Sequence, residues 1–406
     1  MAQDENKWTA AQRHVVVASY LGWMLDAFDF FLLVFVINDV AREFGTKNSS
    51  VAFAIMLTLA LRPLGAFVFG RLADRYGRRP ILMLDVALYS VFGFATAFAP
   101  NLTVFLVIRG LFGVAMGGEW GVGASLTMES IPRSARGLVS GILQSGYPSG
   151  YLFASITFAL LYPMIGWRGM FMVGLVPALL IFYIRTKVPE SPAFRKESAA
   201  SVTTLGVLTK HLKLALYAIL LMTAFNFFSH GTQDIYPTFL QKQRHFEHDT
   251  VSMIAIIYNI GAILGGLTFG SISQRMGRKR AIITAAICAI PAVWLWAFSP
   301  SVALLAVGAF IVQFFVQGAW GVIPAHLNEL SPPEARGAFP GTVYQLGNFI
   351  ASSNAVLQTR FAEQNGNDYA AALATVAIAA ALAIMVLIWF GREAKDVAMT
   401  AERTAA

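Results

Sequence analysis

The sequence predicts an all-α membrane protein, with twelve transmembrane helices arranged as two six-helix halves. Three observations predict it. Apolar runs of membrane-spanning length, about 20 residues, recur twelve times along the 406 residues. Lys and Arg crowd the connecting segments on one side of those runs. The second half of the chain also repeats the first at an offset of 200 residues. Composition agrees: 57% of residues are hydrophobic and 13% charged, where a soluble chain carries about a quarter charged residues.

The first run, 15–38, follows 14 polar residues and has no cleavage site after it, so it reads as a retained helix rather than a signal peptide. It carries Asp26 and Asp29. The second, 51–72, holds Arg62 at mid-depth and leads into a short loop with Gly70, Asp74, Arg75, Gly77, Arg78 and Arg79. Runs 80–99 and 102–125 follow, the latter with Arg109 and Glu119. Arg133 and Arg136 precede the fifth and sixth runs, 138–161 and 166–186. The stretch 187–213, with Pro189, Pro192 and a Ser/Ala/Thr-rich segment, is a linker between a first bundle at 1–186 and a second at 214–406. The remaining runs are 214–240, 250–273, 279–298, 301–325, 338–360 and 369–391. An even number of spans puts both termini on one side.

That side follows from the charges. Of the 30 Lys and Arg residues, 22 fall on the side of the termini, 6 on the other, and Arg62 and Arg109 within spans. Short cytoplasmic loops carry the excess of Lys and Arg, so both termini are expected in the cytoplasm, with the chain in the cell (inner) membrane. The net charge of +8 is then a topology signal. Nucleic acid is a poor partner for basic residues dispersed over seven short segments. The lone Cys288 excludes a disulfide framework and a cysteine metal cluster. No cofactor is expected.

The repeat is specific. Gly70, Arg75, Gly77 and Arg78 recur as Gly270, Arg275, Gly277 and Arg278, with Gln274 standing where the first half has Asp74. Gly118, Trp120 and Gly121 recur as Gly318, Trp320 and Gly321, and Glu129, Pro132, Arg136 and Gly137 as Glu329, Pro332, Arg336 and Gly337. Parallel repeats of this kind are related by an axis along the membrane normal and hold their site between them near the midplane.

The seventh run carries the densest chemistry. Asn226, His230, Gln233 and Asp234 fall within roughly 80° of one another on one helical face. Ionisable groups at membrane depth are expensive and usually face a water-filled path for a substrate or protons. The imidazole suits proton exchange or hydrogen bonding to an anion, and a buried carboxylate is pushed toward its neutral form until water reaches it. A metal is a poor reading, because a third protein ligand is missing. Arg62 is too deep for easy snorkelling, and a guanidinium fork matches a carboxylate with two hydrogen bonds. Arg109 is the second candidate for that clamp. Asp26 and Asp29 either balance Arg62 or exchange protons; Glu119 is open between the same roles. Tyr344, Gln345 and Asn348 on the eleventh run either bind a substrate or join helices.

The loop from Gly70 to Arg79 resembles the signature loop of the major facilitator superfamily, over essentially the whole chain. The 226–238 segment is similar to the signature of lactate/pyruvate permeases in the sialate:proton symporter family, as are Asp26 and Asp29 in the first run and Glu119 in the fourth. The resemblance implies a proton-coupled symporter of a small monocarboxylate, working by alternating access as a functional monomer. Its partners would be a small organic-acid anion, protons and the lipid bilayer. It implies substrate contacts from Arg62, Arg109, Asn226, His230, Gln233, Tyr344 and Gln345, and proton coupling through Asp234, His230, Asp26, Asp29 and Glu119. It also implies a gate at Gly70, Asp74, Arg75, Gly77 and Arg78, with Arg136 as the partner of Asp74. A rival keeps the fold and changes the cargo to sialate or an aromatic or dicarboxylic acid. A membrane enzyme is disfavoured, since no nucleophile–base signature is present.

Overall fold

The structure, a computed structural model, describes residues 8–46, 48–194, 206, 209–397 and 399. Among the described residues there is no strand. The first half comprises α1 (Ala10–Glu43), α2 (Asn48–Tyr76), α3 (Arg78–Thr96), α4 (Leu102–Ser130), α5 (Arg136–Val173) and α6 (Leu179–Lys187). The second comprises α7 (Leu212–Gln233), α8 (Tyr236–Lys242), α9 (His248–Met276), α10 (Arg278–Phe298), α11 (Val302–Gly321), α12 (Ile323–Leu330), α13 (Phe339–Ala351), α14 (Asn354–Gln364) and α15 (Tyr369–Phe390). Each of the twelve predicted runs falls on one or two of these helices, and residues 195–205, 207 and 208 of the predicted linker lie outside the described residues.

Among the described residues, ten stretches are long and apolar enough to cross a membrane. One of them, Arg133–Lys187, is 55 residues long and covers both the fifth and sixth runs. Its break lies at Gly166, whose φ of 60° is a left-handed conformation that glycine adopts without a Cβ clash. The eleventh run is not among the ten. It is split into α13 and α14 at Ser352 and Ser353.

Local signals repeat with the halves. Asn101 caps α4 by accepting from Val104 N, and Ser301, at the same offset, caps α11 by accepting from Leu304 N. Gly77 and Gly277, with φ of 108° and 95°, make the sharp turns into α3 and α10. Small residues let helix backbones approach closely in a bilayer. A methyl group on Gly117 would strike the Arg62 carbonyl on α2, and one on Gly265 the Phe314 carbonyl on α11. Large apolar side chains such as Leu160, Met164, Trp389 and Phe390 point outward, as a lipid-facing surface requires.

The halves meet along α5 against α9 and along α2 and α4 against α13. Glycines line these seams: Gly121 faces Gly341, and Gly141 faces Gly266. The seams tighten at the end of the bundle that carries the termini, where Ser125 Oγ donates to Arg336 O at 2.7 Å and Ala325 N donates to Ser140 Oγ at 3.0 Å. That end is closed.

Candidate functional site

A cavity of about 360 Å³ lies between the halves. Its walls run from Arg62, Trp320 and Tyr344 toward Val34, Ile55 and Pro237, away from the termini. Four of the five residues picked from the seventh and second runs by depth and spacing sit on α7 or at its end: Asn226, His230, Gln233 and Asp234. All four line the cavity, and Arg62 faces them from α2.

The imidazole is held by acceptors on both sides. His230 Nδ1 lies 3.1 Å from Asp234 Oδ1, and Nε2 lies 3.1 Å from Asn348 Oδ1. Asn348 Nδ2 donates to Gln345 Oε1 at 3.3 Å, which turns its oxygen toward the ring. Asp234 is at the end of α7, and its side chain is 38% exposed. Gln233 Nε2 donates to Gln313 Oε1 at 2.7 Å, and Gln317 Nε2 to Ser229 Oγ at 3.0 Å, so α11 fixes the polar face of α7.

Arg62 is almost fully enclosed, with one Nη2 contact to Met116 Sδ at 2.6 Å and its guanidinium 5.2 Å from the centre of the Phe30 ring. Neither is a strong acceptor, so the fork is left for a carboxylate. Trp120 and Trp320 both pack against the Tyr344 ring, at 4.7 and 5.5 Å between centres, and form an aromatic floor.

Two expected substrate contacts, Arg109 and Gln345, are corrected here. Arg109 does not line the cavity; it is buried within the first half, its guanidinium 4.1 Å from the centre of the Phe112 ring. Asp26, Asp29 and Glu119 are also fully inside that half, away from the cavity wall. None makes an ion pair with Arg62 within 4.0 Å among the described residues. Gln345 sits behind Asn348 and orients it, and Asn348 supplies the wall. Helix rotation decides all of these, and depth in a span says nothing about rotation.

At the closed end, Asp74 accepts from Gly337 N at 2.8 Å and Ala338 N at 3.1 Å, the start of α13, and pairs with Arg78 at 3.1 Å. The gate's predicted partner is therefore wrong: Arg136 faces Glu329 at 3.8 Å and donates to Met128 O and Val397 O. Arg75 lies against the Tyr76 ring, outside this network. The second half copies the arrangement with a neutral group, Gln274 Oε1 accepting from Gly137 N at 3.1 Å. Arg78 donates to Glu129 through Nη2 at 3.1 Å, and Arg278 grips Glu329 with both Nε and Nη2 at 2.9 Å. The chain after α15 crosses this end: Arg136 Nη1 donates to Val397 O at 2.7 Å, Arg336 Nη1 to Met399 O at 3.1 Å, and Met399 is buried among residues of both halves.

Sequence reasoning missed Tyr147, Tyr151, Tyr258 and Asn259 on the cavity wall. Tyrosines in apolar runs give no directional signal. It also missed Asp85, fully buried on α3, although a carboxylate within an apolar run was the signal that singled out Asp26.

Known proteins supply independent comparisons. The profile described as Major Facilitator Superfamily matches residues 19–247, and that described as Sugar (and other) transporter matches residues 214–396. The chain is 29% identical over 376 residues to a carboxylic acid transporter protein homolog of Saccharomyces cerevisiae, covering 85% of this chain and 60% of that protein. It is 26% identical to the sialic acid transporter NanX of Escherichia coli, covering 92% of this chain and 93% of the relative. In structure it is similar to the proton:xylose symporter XylE, with a TM-score of 0.70 over 94% of this chain and 95% of that chain at 17% identity.

Proposed function

Because this chain belongs to the major facilitator superfamily, and is thus a multi-pass membrane transporter rather than an enzyme, we propose that it carries a small monocarboxylate such as lactate or pyruvate together with a proton. The observation that carries this reading is the charge of the cavity. Its wall carries one guanidinium, Arg62, with no carboxylate within 4.0 Å of it among the described residues, beside the His230–Asp234 pair. A small monoanion is the partner that such a free fork takes. The volume lies near the lower end of the roughly 300–1,000 Å³ typical of ligand pockets, which favours a small acid.

The carboxylate meets the Arg62 fork, and the hydroxyl or keto oxygen meets Asn226, His230 or Gln233. Asp234, open to water, exchanges the proton at the mouth. The closed end, held by Asp74 and Gln274, is cytoplasmic by its charges, so the cavity faces outward. The halves then rock about the site and release both species inward.

Names of the relatives favour a second reading, another organic acid on the same fold, sialate among them. Competition for binding to the purified protein separates the two. Lactate and pyruvate should compete with each other, lactamide, which lacks the charge, should not, and succinate should be weaker. Stronger binding of sialate or succinate than of lactate would replace the cargo, and equal binding of lactamide would remove the charge argument.

A further inference from the structure

At the end of the bundle that carries the termini, a second cleft, of about 540 Å³, opens between α9, α10 and the chain leaving α15. Arg275, Lys279, Arg280 and Lys395 all line it, together with Glu393. Several of these groups are already engaged. Lys279 Nζ donates to Trp389 O at 2.9 Å and Gly391 O at 2.6 Å, which closes the end of α15. Lys395 Nζ lies 3.4 Å from Asp396 Oδ2. Glu393 accepts from Lys279 N and Lys395 N, both at 3.1 Å, so its carboxylate is turned to the backbone and caps the start of α10. Arg275 and Arg280 are different. Both are exposed, and neither has a carboxylate within 4.0 Å among the described residues.

The turn into α10 does not need them. At the offset of 200, Arg275, Lys279 and Arg280 correspond to Arg75, Arg79 and Pro80. Arg75 is laid over the Tyr76 ring, 5.3 Å from its centre, and Arg79 donates to Arg185 O. Glu190 caps α3 there, accepting from Arg78 N at 2.9 Å and Arg79 N at 3.2 Å. The same glycine turn therefore forms with a proline in the place of Arg280. Orientation in the bilayer does not explain the cleft either. It depends on how many Lys and Arg lie on one side, and their meeting in one cleft adds nothing to it.

The surroundings say what fits. Trp389 and Phe390, 70% and 83% exposed, end α15, and Trp is enriched at the headgroup level of a bilayer. Met276, Ile283 and Trp389 give the cleft an apolar side at that level. A guanidinium fork matches phosphate oxygens with two hydrogen bonds, and basic pockets between membrane helices suit anionic headgroups. A phosphate diester attached to acyl chains meets the charged side and the apolar side together. Free phosphate meets only the first.

We propose that this cleft binds an anionic phospholipid, with Arg275 and Arg280 on the phosphate and Trp389 against the glycerol and the first acyl carbons. The lipid ties α9 and α10 to α15 beside Gln274, which holds the closed end. The site is separate from the central cavity, and its occupancy is independent of the acid carried there.

The test titrates purified protein in neutral detergent with phosphatidylglycerol or phosphatidylcholine and counts bound lipid by native mass spectrometry. The protein should retain one phosphatidylglycerol in preference to phosphatidylcholine. Arg275→Gln with Arg280→Gln should weaken that binding about tenfold, for two cations taken from the headgroup level. Arg185→Gln with Lys187→Gln removes two exposed cations from the same end of the first half and should leave it unchanged. Equal weakening by the two pairs would overturn the site, since the whole basic end would then attract the lipid. Equal retention of phosphatidylcholine would overturn it as well. Displacement of the phosphatidylglycerol by millimolar inorganic phosphate would overturn the lipid in favour of a soluble anion.

Discussion

Arg62 and Arg109 are both arginines within apolar runs, yet only Arg62 reaches the cavity. Exchanging each for lysine separates their roles. Arg62→Lys keeps the charge and loses the fork, so lactate affinity should fall by about 1–3 kcal/mol, the range of a hydrogen bond to a charged group. Arg109→Lys should leave affinity unchanged, because Arg109 is behind the wall. Titration calorimetry on both variants checks this; unchanged affinity in folded Arg62→Lys would move the clamp elsewhere. Asp234→Asn should abolish concentrative uptake and spare exchange, as counterflow assays would reveal, and normal accumulation would remove Asp234 from the coupling path. Side-chain spacing made the α7 face legible, since Asn226, His230 and Asp234 are four residues apart on one helix. What it left hidden was the facing of single residues on other helices. Arg109 and Gln345 carry suitable chemistry at a suitable depth, yet neither lines the cavity.

Helix junctions hold the closed end together. Asp74 receives two backbone N–H groups at the start of α13, while Gln274 receives one and is neutral. Charge-assisted hydrogen bonds are roughly twice as strong as neutral ones. Asp74→Asn should therefore loosen the closed end by about 1–2 kcal/mol, and Gln274→Asp should shift it less. Labelling of Ala325→Cys in a Cys288→Ser background reads this, because Ala325 is fully buried at the closed seam. Equal labelling with and without Asp74→Asn would reduce the loop to a topology anchor. Removing residues 392–406 takes Val397 and Met399 from Arg136 and Arg336 and uncovers the mouth, so the same cysteine should label faster. Unchanged labelling would make that crossing incidental. The glycine turns and the repeated loop were legible as sequence. The Arg136 pairing was not, because Arg78, one turn after Asp74, reaches the carboxylate first, and the tail that meets Arg136 carries no motif.

At the scale of the whole molecule, one architecture serves two different halves. The twelve runs and the repeat were legible because a bilayer demands long apolar helices and symmetry repeats them. The division of labour was not legible: the second half turns most of its polar groups into the cavity, and the first, apart from Arg62, keeps its span charges in its own core. The proposed function is coupled movement of a small anion and a proton, the claim on which the rest depends. The most direct measurement is lactate uptake into proteoliposomes under an imposed pH gradient with the membrane potential clamped. The account predicts accumulation when the outside is acidic, loss of accumulation with a protonophore, and exchange that persists without a gradient. Lactate uptake that reaches the same level with and without the gradient would contradict it.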